Sequence, residues 1–156
     1  MLYYLLSICL VGIDQLVKWW VRENISLGQS IPFIPHVMDL TYTQNTGAAF
    51  SSFSGMTWLL ALVSLGASVV VAVLMARNFF PGKWGKLSLS LILAGAAGNL
   101  IDRALLGFVT DMLQTTFMEF AVFNVADICV VAGGFLMAGY VLLRWDKDRE
   151  AQDDPA

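Results

Sequence analysis

A membrane-crossing helix needs about 20 consecutive apolar residues to span a hydrocarbon core of roughly 30 Å, and this chain carries four such runs. They cover about 2–21, 57–76, 87–106 and 124–143. The second contains no charged residue; the others carry only Asp14 and Lys18, Asp102 and Arg103, and Asp127. The composition leaves no soluble alternative. Hydrophobic residues make up 58% of the 156 and charged ones 13%, with a mean hydropathy of +0.70, whereas soluble domains carry about 25% charged residues. A chain this short has no interior that could hide the excess. The expected fold is an all-α integral membrane protein of four transmembrane helices, with residues 1–145 as one domain and 146–156 as a charged tail.

An even number of crossings puts both termini on one side. Arg77, Lys83 and Lys86 lie between the second and third spans, and Arg144, Lys147 and Arg149 follow the fourth. The other side holds Arg22 and Arg103, with Lys18 just inside the first span. The positive-inside rule then places both termini in the cytoplasm. Trp19, Trp20, Trp58, Trp84 and Trp145 fall near span ends, as an aromatic belt requires. The first run has no basic leader and no small-x-small cleavage pattern, so it reads as an uncleaved helix. The tail after Trp145 is expected to be frayed.

Several function classes drop out. A net charge of −3 argues against a nucleic-acid partner, which would meet a basic patch. Cys9 and Cys129 lie in apolar runs, where free cysteines behave as small hydrophobes, so no disulfide is expected. His36 is the only histidine, which leaves no zinc or bis-histidine haem set. No glycine-rich phosphate loop opens a helix, and no nucleophile elbow accompanies His36.

The intramembrane polar groups are costly, so their positions carry information. Asp14 lies about 18 Å along the first helix, in the outer half of the bilayer. Lys18 follows it by one turn on the same face. Asn99, Asp102 and Arg103 gather at the outer end of the third span, Asn124 and Asp127 at the outer start of the fourth, and Asp111 about one turn past the third. The inner halves of the spans are bare. Taken pair by pair, Asp14–Lys18 and Asp102–Arg103 read as structural ion pairs. Asp127 has no basic neighbour within a turn; alone, it could simply be a carboxylate favoured by its helix dipole. Gly95, Gly98, Gly133, Gly134 and Gly139 permit close helix approach.

Two segments outside the membrane look structured. Met38, Leu40 and Tyr42 alternate with Asp39, Thr41 and Thr43, the pattern of a half-buried strand, and Asn45-Thr46-Gly47 reads as a turn. A small sheet on the membrane surface is expected there. The segment 107–123 has no clean period and is expected to be a loop or helix on the same side.

What chemistry remains belongs to two carboxylates at one level, Asp111 and Asp127. Two aspartates in close approach cannot both ionise; they share a proton, so one can activate water while the other protonates a peptide carbonyl. Two other readings stand beside this one. A small transporter or channel would use the acids as an ion path, but such a path needs polar groups through the full bilayer depth. A structural membrane subunit would hold them as interhelical bridges.

Five blocks bear on the choice: Asp14-Gln15-Leu16-Val17-Lys18, Asn45-Thr46-Gly47-Ala48-Ala49-Phe50, Gly98-Asn99-Leu100-Ile101-Asp102-Arg103, Gly107-Phe108-Val109-Thr110-Asp111 and Phe123-Asn124-Val125-Ala126-Asp127. In this order and on these spans the chain resembles the lipoprotein signal peptidase (signal peptidase II) family over nearly its whole length. It departs from the family pattern at Ala121, where a proline is frequent, at Thr110, where a hydrophobe is common, and at Ile128, where serine is frequent. The resemblance implies an aspartic endopeptidase without metal or cofactor, whose dyad is Asp111 and Asp127. Asn45, Asn99, Arg103 and Asn124 would position substrate and dyad, and Asp14, Lys18, Gly47 and Asp102 would support them. It implies a diacylglyceryl-modified prolipoprotein as substrate, cut on the N-terminal side of the lipidated cysteine. The expected setting is the bacterial cytoplasmic (inner) membrane, crossed several times, with the site near the outer leaflet and the protein a monomer among membrane lipids.

Overall fold

The computed structural model describes residues 1–47 and 55–153. Ala48, Ala49 and Phe50 of the second block, and the end of the tail at 154–156, lie outside the described residues. Four helices are long and apolar enough to cross a membrane: α1 (Leu2–Asn24), α2 (Thr57–Ala76), α3 (Lys83–Leu106) and α4 (Val125–Leu143). They match the four apolar runs. The third begins four residues earlier than expected, because Gly82 in an extended conformation caps it and Lys83 and Trp84 join its first turn.

The central helix is α3, which packs against α1, α2 and α4. Its buried face is small and polar, with Gly85, Ser88, Ser90, Ala94, Gly95, Gly98, Asn99 and Asp102. Large apolar side chains such as Phe135, Leu142 and Leu105 face outward. Lipid is as apolar as leucine, so helices in a membrane gain most from close backbone approach and from interhelical hydrogen bonds. Both are present. A Cβ on Gly95 would strike the Ala126 carbonyl oxygen and stand 2.5 Å from Val130 Cγ2, and one on Gly133 would stand 2.9 Å from the Ser88 carbonyl. Ser88 Oγ donates to the Gly133 carbonyl at 2.7 Å, and Ser7 Oγ to the Ser90 carbonyl at 3.0 Å. Gly134 and Gly139 have open space beside them, so close approach needs only part of the glycine set.

At one end of the bundle, where α1 and α3 finish and α2 and α4 begin, lies an antiparallel sheet in the order β1–β2–β3. Its strands are β1 (Ser30–Ile34), β2 (Met38–Asn45) and β3 (Val109–Thr115). The alternation read at 38–43 is therefore a strand. An irregularity between Leu40 and Thr43 leaves Thr41 and Tyr42 both buried. Tyr42 and Met112 pack on Val21 and Ile25, seating the sheet on the last turns of α1.

The segment 107–123 departs from expectation: it forms β3, and none of its described residues is helical. Gly107, at φ 78°, closes α3 in the left-handed conformation that glycine adopts freely. The chain then pairs with β2 on one side, while Leu113 pairs with Phe123 on the other. Both faces of β3 are covered at its start, which erases the alternation a sequence pattern would show.

The tail also differs. Trp145–Asp153 forms a helix, α5, with Asp146 and Asp148 in the first turn, where the helix dipole favours acids. Trp145 stacks near Phe79 and Phe80, at 6.1 and 5.6 Å between ring centroids, so the tail is tied to the α2–α3 turn.

Gly95→Ala is expected to lower the thermal unfolding midpoint in detergent through overpacking of about 1–3 kcal/mol. Gly134→Ala, with room beside it, should leave the midpoint unchanged or raise it. Equal midpoints in the two variants would show that Gly95 does not set the α3–α4 approach.

Candidate active site

The end of the bundle beneath the sheet is organised around Lys18, whose side chain is completely buried. Its ammonium lies 2.9 Å from Asp14 and 3.4 Å from Asp102, and it donates to Asn99 Oδ1 at 3.0 Å. A lysine has three N–H donors, so all are occupied. Gln15 Nε2 lies 3.1 Å from each of Asp14 Oδ2, Asp102 Oδ1 and the Gly98 carbonyl, a second clasp between α1 and α3. The sequence reading passed over Gln15, although it stands beside Asp14 in the first block.

The two supporting acids each reach a backbone N–H. Asp102 Oδ2 accepts from Thr110 N at 2.9 Å, and Asp14 Oδ1 accepts from Ala126 N at 2.9 Å. Thr110 and Ala126 immediately precede Asp111 and Asp127, so the Lys18 cluster grips the chain one residue before each. Thr110 is held a second time, by Arg22 Nη1 donating to its hydroxyl at 3.0 Å. That bond gives a use to the hydroxyl found where a hydrophobe was expected.

Strand alternation then decides where Asp111 points. Thr110 and Met112 face α1, and Val109 and Asp111 face the interhelical cavity. Asp111 accepts from Asn45 Nδ2 at 3.0 Å and from Asn124 Nδ2 at 2.6 Å. Asp127 is fixed by the N-terminus of α4, where Asn124 is the cap. Asp127 N donates to Asn124 Oδ1 at 2.9 Å while Asn124 N donates to Asp127 Oδ2 at 3.1 Å, a reciprocal capping box. Asn99 Nδ2 donates to the other oxygen at 2.8 Å. Asn124 thus touches both aspartates, and its amide also donates to Asn99 Oδ1 at 3.2 Å.

Asp111 and Asp127 line one cavity of about 670 Å³ between α2, α3 and α4, with Asn45, Ser64, Asn99 and Arg103 among its polar walls and Val63, Ala67, Val130 and Val131 among the apolar ones. Burial pushes the Asp111 carboxyl up to about 6; the neighbouring charge of Asp127 adds to the rise, and the amides of Asn45 and Asn124 oppose it.

Arg103 corrects one expectation. Successive helical residues diverge by about 100°, and Arg103 turns toward α2 while Asp102 turns toward α1. Asp102 pairs with Lys18, not with Arg103. The Arg103 guanidinium donates to Ser64 Oγ at 3.3 Å and to the Gly47 carbonyl at 3.4 Å. Gly47 N in turn donates to Asn45 Oδ1 at 2.9 Å, the side-chain turn that Asn45-Thr46-Gly47 announces. Cys9 and Cys129 are free thiols. The structure brings together every residue singled out from the sequence for this site.

Two solved structures share the architecture. Both are bacterial membrane enzymes determined by the in meso method, at 2.3 Å and 1.9 Å resolution. The first is similar with a TM-score of 0.85 and 28% identity, over 90% of this chain and 87% of its own. The second has a TM-score of 0.81 and 28% identity, over 91% and 92%. The fold is thus that of a multi-pass membrane enzyme. The model of the signal peptidase (SPase) II family matches residues 6–143, and the chain belongs to that family. The lipoprotein signal peptidase of Enterococcus faecalis is 45% identical over 141 residues, 90% of this chain and 88% of that protein. That of Streptococcus thermophilus is 41% identical, over 90% of each chain. The function is that of a signal peptidase II, a peptidase of the membrane.

Two outcomes test the site's electrostatics. Lys18→Met would leave Asp14 and Asp102 buried without a counter-charge, and should destabilise the fold by about 3–5 kcal/mol in detergent unfolding. A loss under 1 kcal/mol would mean the cluster is not held by that charge. For Asp111 the folded value lies above the usual 3.8. The stability gained by its protonated form is complete below 3.8 and is lost as pH rises from there through about 6. Asp111→Asn should therefore gain about 2 kcal/mol relative to wild type between pH 4 and pH 7. A constant difference across that range would contradict the assignment.

Proposed function

We propose that Asp111 and Asp127 are an aspartic catalytic dyad, and that the chain removes signal peptides from diacylglyceryl-modified prolipoproteins, cutting on the N-terminal side of the lipidated cysteine. The observation that carries the reading is a contrast among four aspartates. Asp14 and Asp102 share the Lys18 ammonium. Among the described residues no ion pair involves Asp111 or Asp127; both are held by amides. A carboxylate locked to a cation cannot exchange a proton easily, whereas one held by neutral donors can.

In this mechanism the dyad holds one proton between its two members. The ionised member takes a proton from a water aimed at the scissile carbonyl, and the protonated member gives its own to the carbonyl oxygen. Collapse of the tetrahedral intermediate breaks the C–N bond, and the amine leaves with a proton returned through the dyad. Asn45, Asn99 and Asn124 keep the carboxylates oriented, and Arg103 borders the same cavity, where it positions the substrate backbone. Asp14, Lys18, Gly47 and Asp102 support them from behind.

The apolar wall between α2, α3 and α4 suits a hydrophobic signal segment lying in the bilayer. Arg77, Lys83, Lys86, Arg144, Lys147 and Arg149 all lie at the bundle end opposite the sheet, which supports a reading with both termini in the cytoplasm and the dyad near the outer leaflet of the inner membrane. Residues 1–145 form the working peptidase domain in this reading. A permeation path is disfavoured because the buried charges gather at one end of the bundle.

The test is cleavage of a purified, diacylglyceryl-modified prolipoprotein by wild type, Asp111→Asn and Asp127→Asn with a metal chelator present. Wild type should cleave, and each folded variant should lose at least about a hundredfold in rate, the lower bound for losing a general acid–base. Near wild-type cleavage by both variants would make the aspartates structural.

A further inference from the structure

A second cavity, of about 520 Å³, adjoins the apolar one at Asp111. The two share Asn45, Asp111 and the strip Phe120-Ala121-Val122 as a common border. Their other walls differ in kind. The apolar cavity runs along the transmembrane helices, from Arg103 to Gly95 on α3, about 12 Å. The second is lined by no helix residue: Thr43 and Gln44 of β2 and Glu119 supply its remaining polar wall. Every formally charged residue lining it, Asp111 and Glu119, is acidic.

A peptide cut at the dyad must leave in two directions, one apolar and one bound for water. We infer that the second cavity receives the first residues of the mature chain after the lipidated cysteine, and that Glu119 biases it toward basic and against acidic side chains. This rests on the proposed cleavage reaction, whose intramembrane half the helical cavity would hold. Glu119 is exposed. Its influence is therefore that of a partly screened surface charge: a preference of a few-fold, sensitive to salt.

The experiment uses three diacylglyceryl-modified prolipoproteins carrying lysine, serine or aspartate at both of the first two positions after the cysteine. Each is cleaved by wild type, Glu119→Gln and Glu119→Lys. The reading is the ratio of kcat/KM for the lysine substrate to that for the aspartate substrate within each enzyme, so a change in overall activity does not enter it. Wild type should favour lysine by about two- to fivefold at low ionic strength, and the ratio should shrink with added salt. It should fall toward one in Glu119→Gln and below that in Glu119→Lys. An identical ratio in all three enzymes overturns the inference while leaving the peptidase reading intact. Failure of wild type to cleave even the serine substrate would overturn the peptidase reading itself.

Discussion

The Lys18 ammonium is the interaction on which the rest of the site depends. A buried charge is tolerable only when its donors are matched, and Lys18 places Asp14, Asp102 and Asn99 on its three. Asp14 then spends its other oxygen on the backbone N–H of Ala126, and Asp102 accepts the backbone N–H of Thr110 on the same Oδ2 that faces Lys18. One cation therefore ties α1 to α3 and, through the two acids, to the start of α4 and to β3. Without it the acids would be uncompensated in a low dielectric, and the two N–H bonds would be held by unpaired buried carboxylates. The grip is applied one residue before each of Asp111 and Asp127, close enough to fix both and distant enough to leave their carboxyls facing the cavity.

The sheet converts this grip into an orientation. Because side chains alternate along β3, anchoring Thr110 and Met112 against α1 turns Asp111 the opposite way. Slipping the strand by one residue would bury the carboxyl against α1 and send a threonine to the cavity, so register here is chemistry as much as packing. Asn124 completes the arrangement by capping α4 through Asp127 and donating to Asp111 at the same time.

Much of this was legible in the sequence, for reasons that differ by residue. The spans are set by solvent and length, so four apolar runs fall on four helices. Asp14 and Lys18 meet because one turn separates them, and Asn124 and Asp127 because a cap and its third residue are neighbours. These are local rules. What local rules could not supply is β3, whose pairing with β2 is made across more than 60 residues and whose buried faces leave no period. Nor could they separate Asp102 from Arg103: adjacent in the chain, they diverge around the helix, and only the positions of α1 and α2 decide that one meets Lys18 and the other Ser64. Gln15 was missed for the same reason, since its three acceptors come from two helices. The helical tail was missed because Phe79 and Phe80, which hold Trp145, belong to a distant turn.

Arg103 stands beside Asp111 and Asp127 without an ion pair to either. It borders the same cavity as Asp111 and Asp127, and a guanidinium free to swing would form the bidentate bridge that arginine and carboxylate favour. Among the described residues its hydrogen bonds go to a hydroxyl on α2 and to the Gly47 carbonyl in the turn after β2. Those partners are neutral, so the positive charge stays in the cavity wall while the aspartates keep their amides. The same two bonds join α2 to the turn that carries Asn45, and Asn45 in turn holds Asp111. Position and charge at Asp111 and Asp127 are thus supplied by different groups: amides set where the carboxyls lie, and Arg103, held from α2 and the turn, sets the field around them.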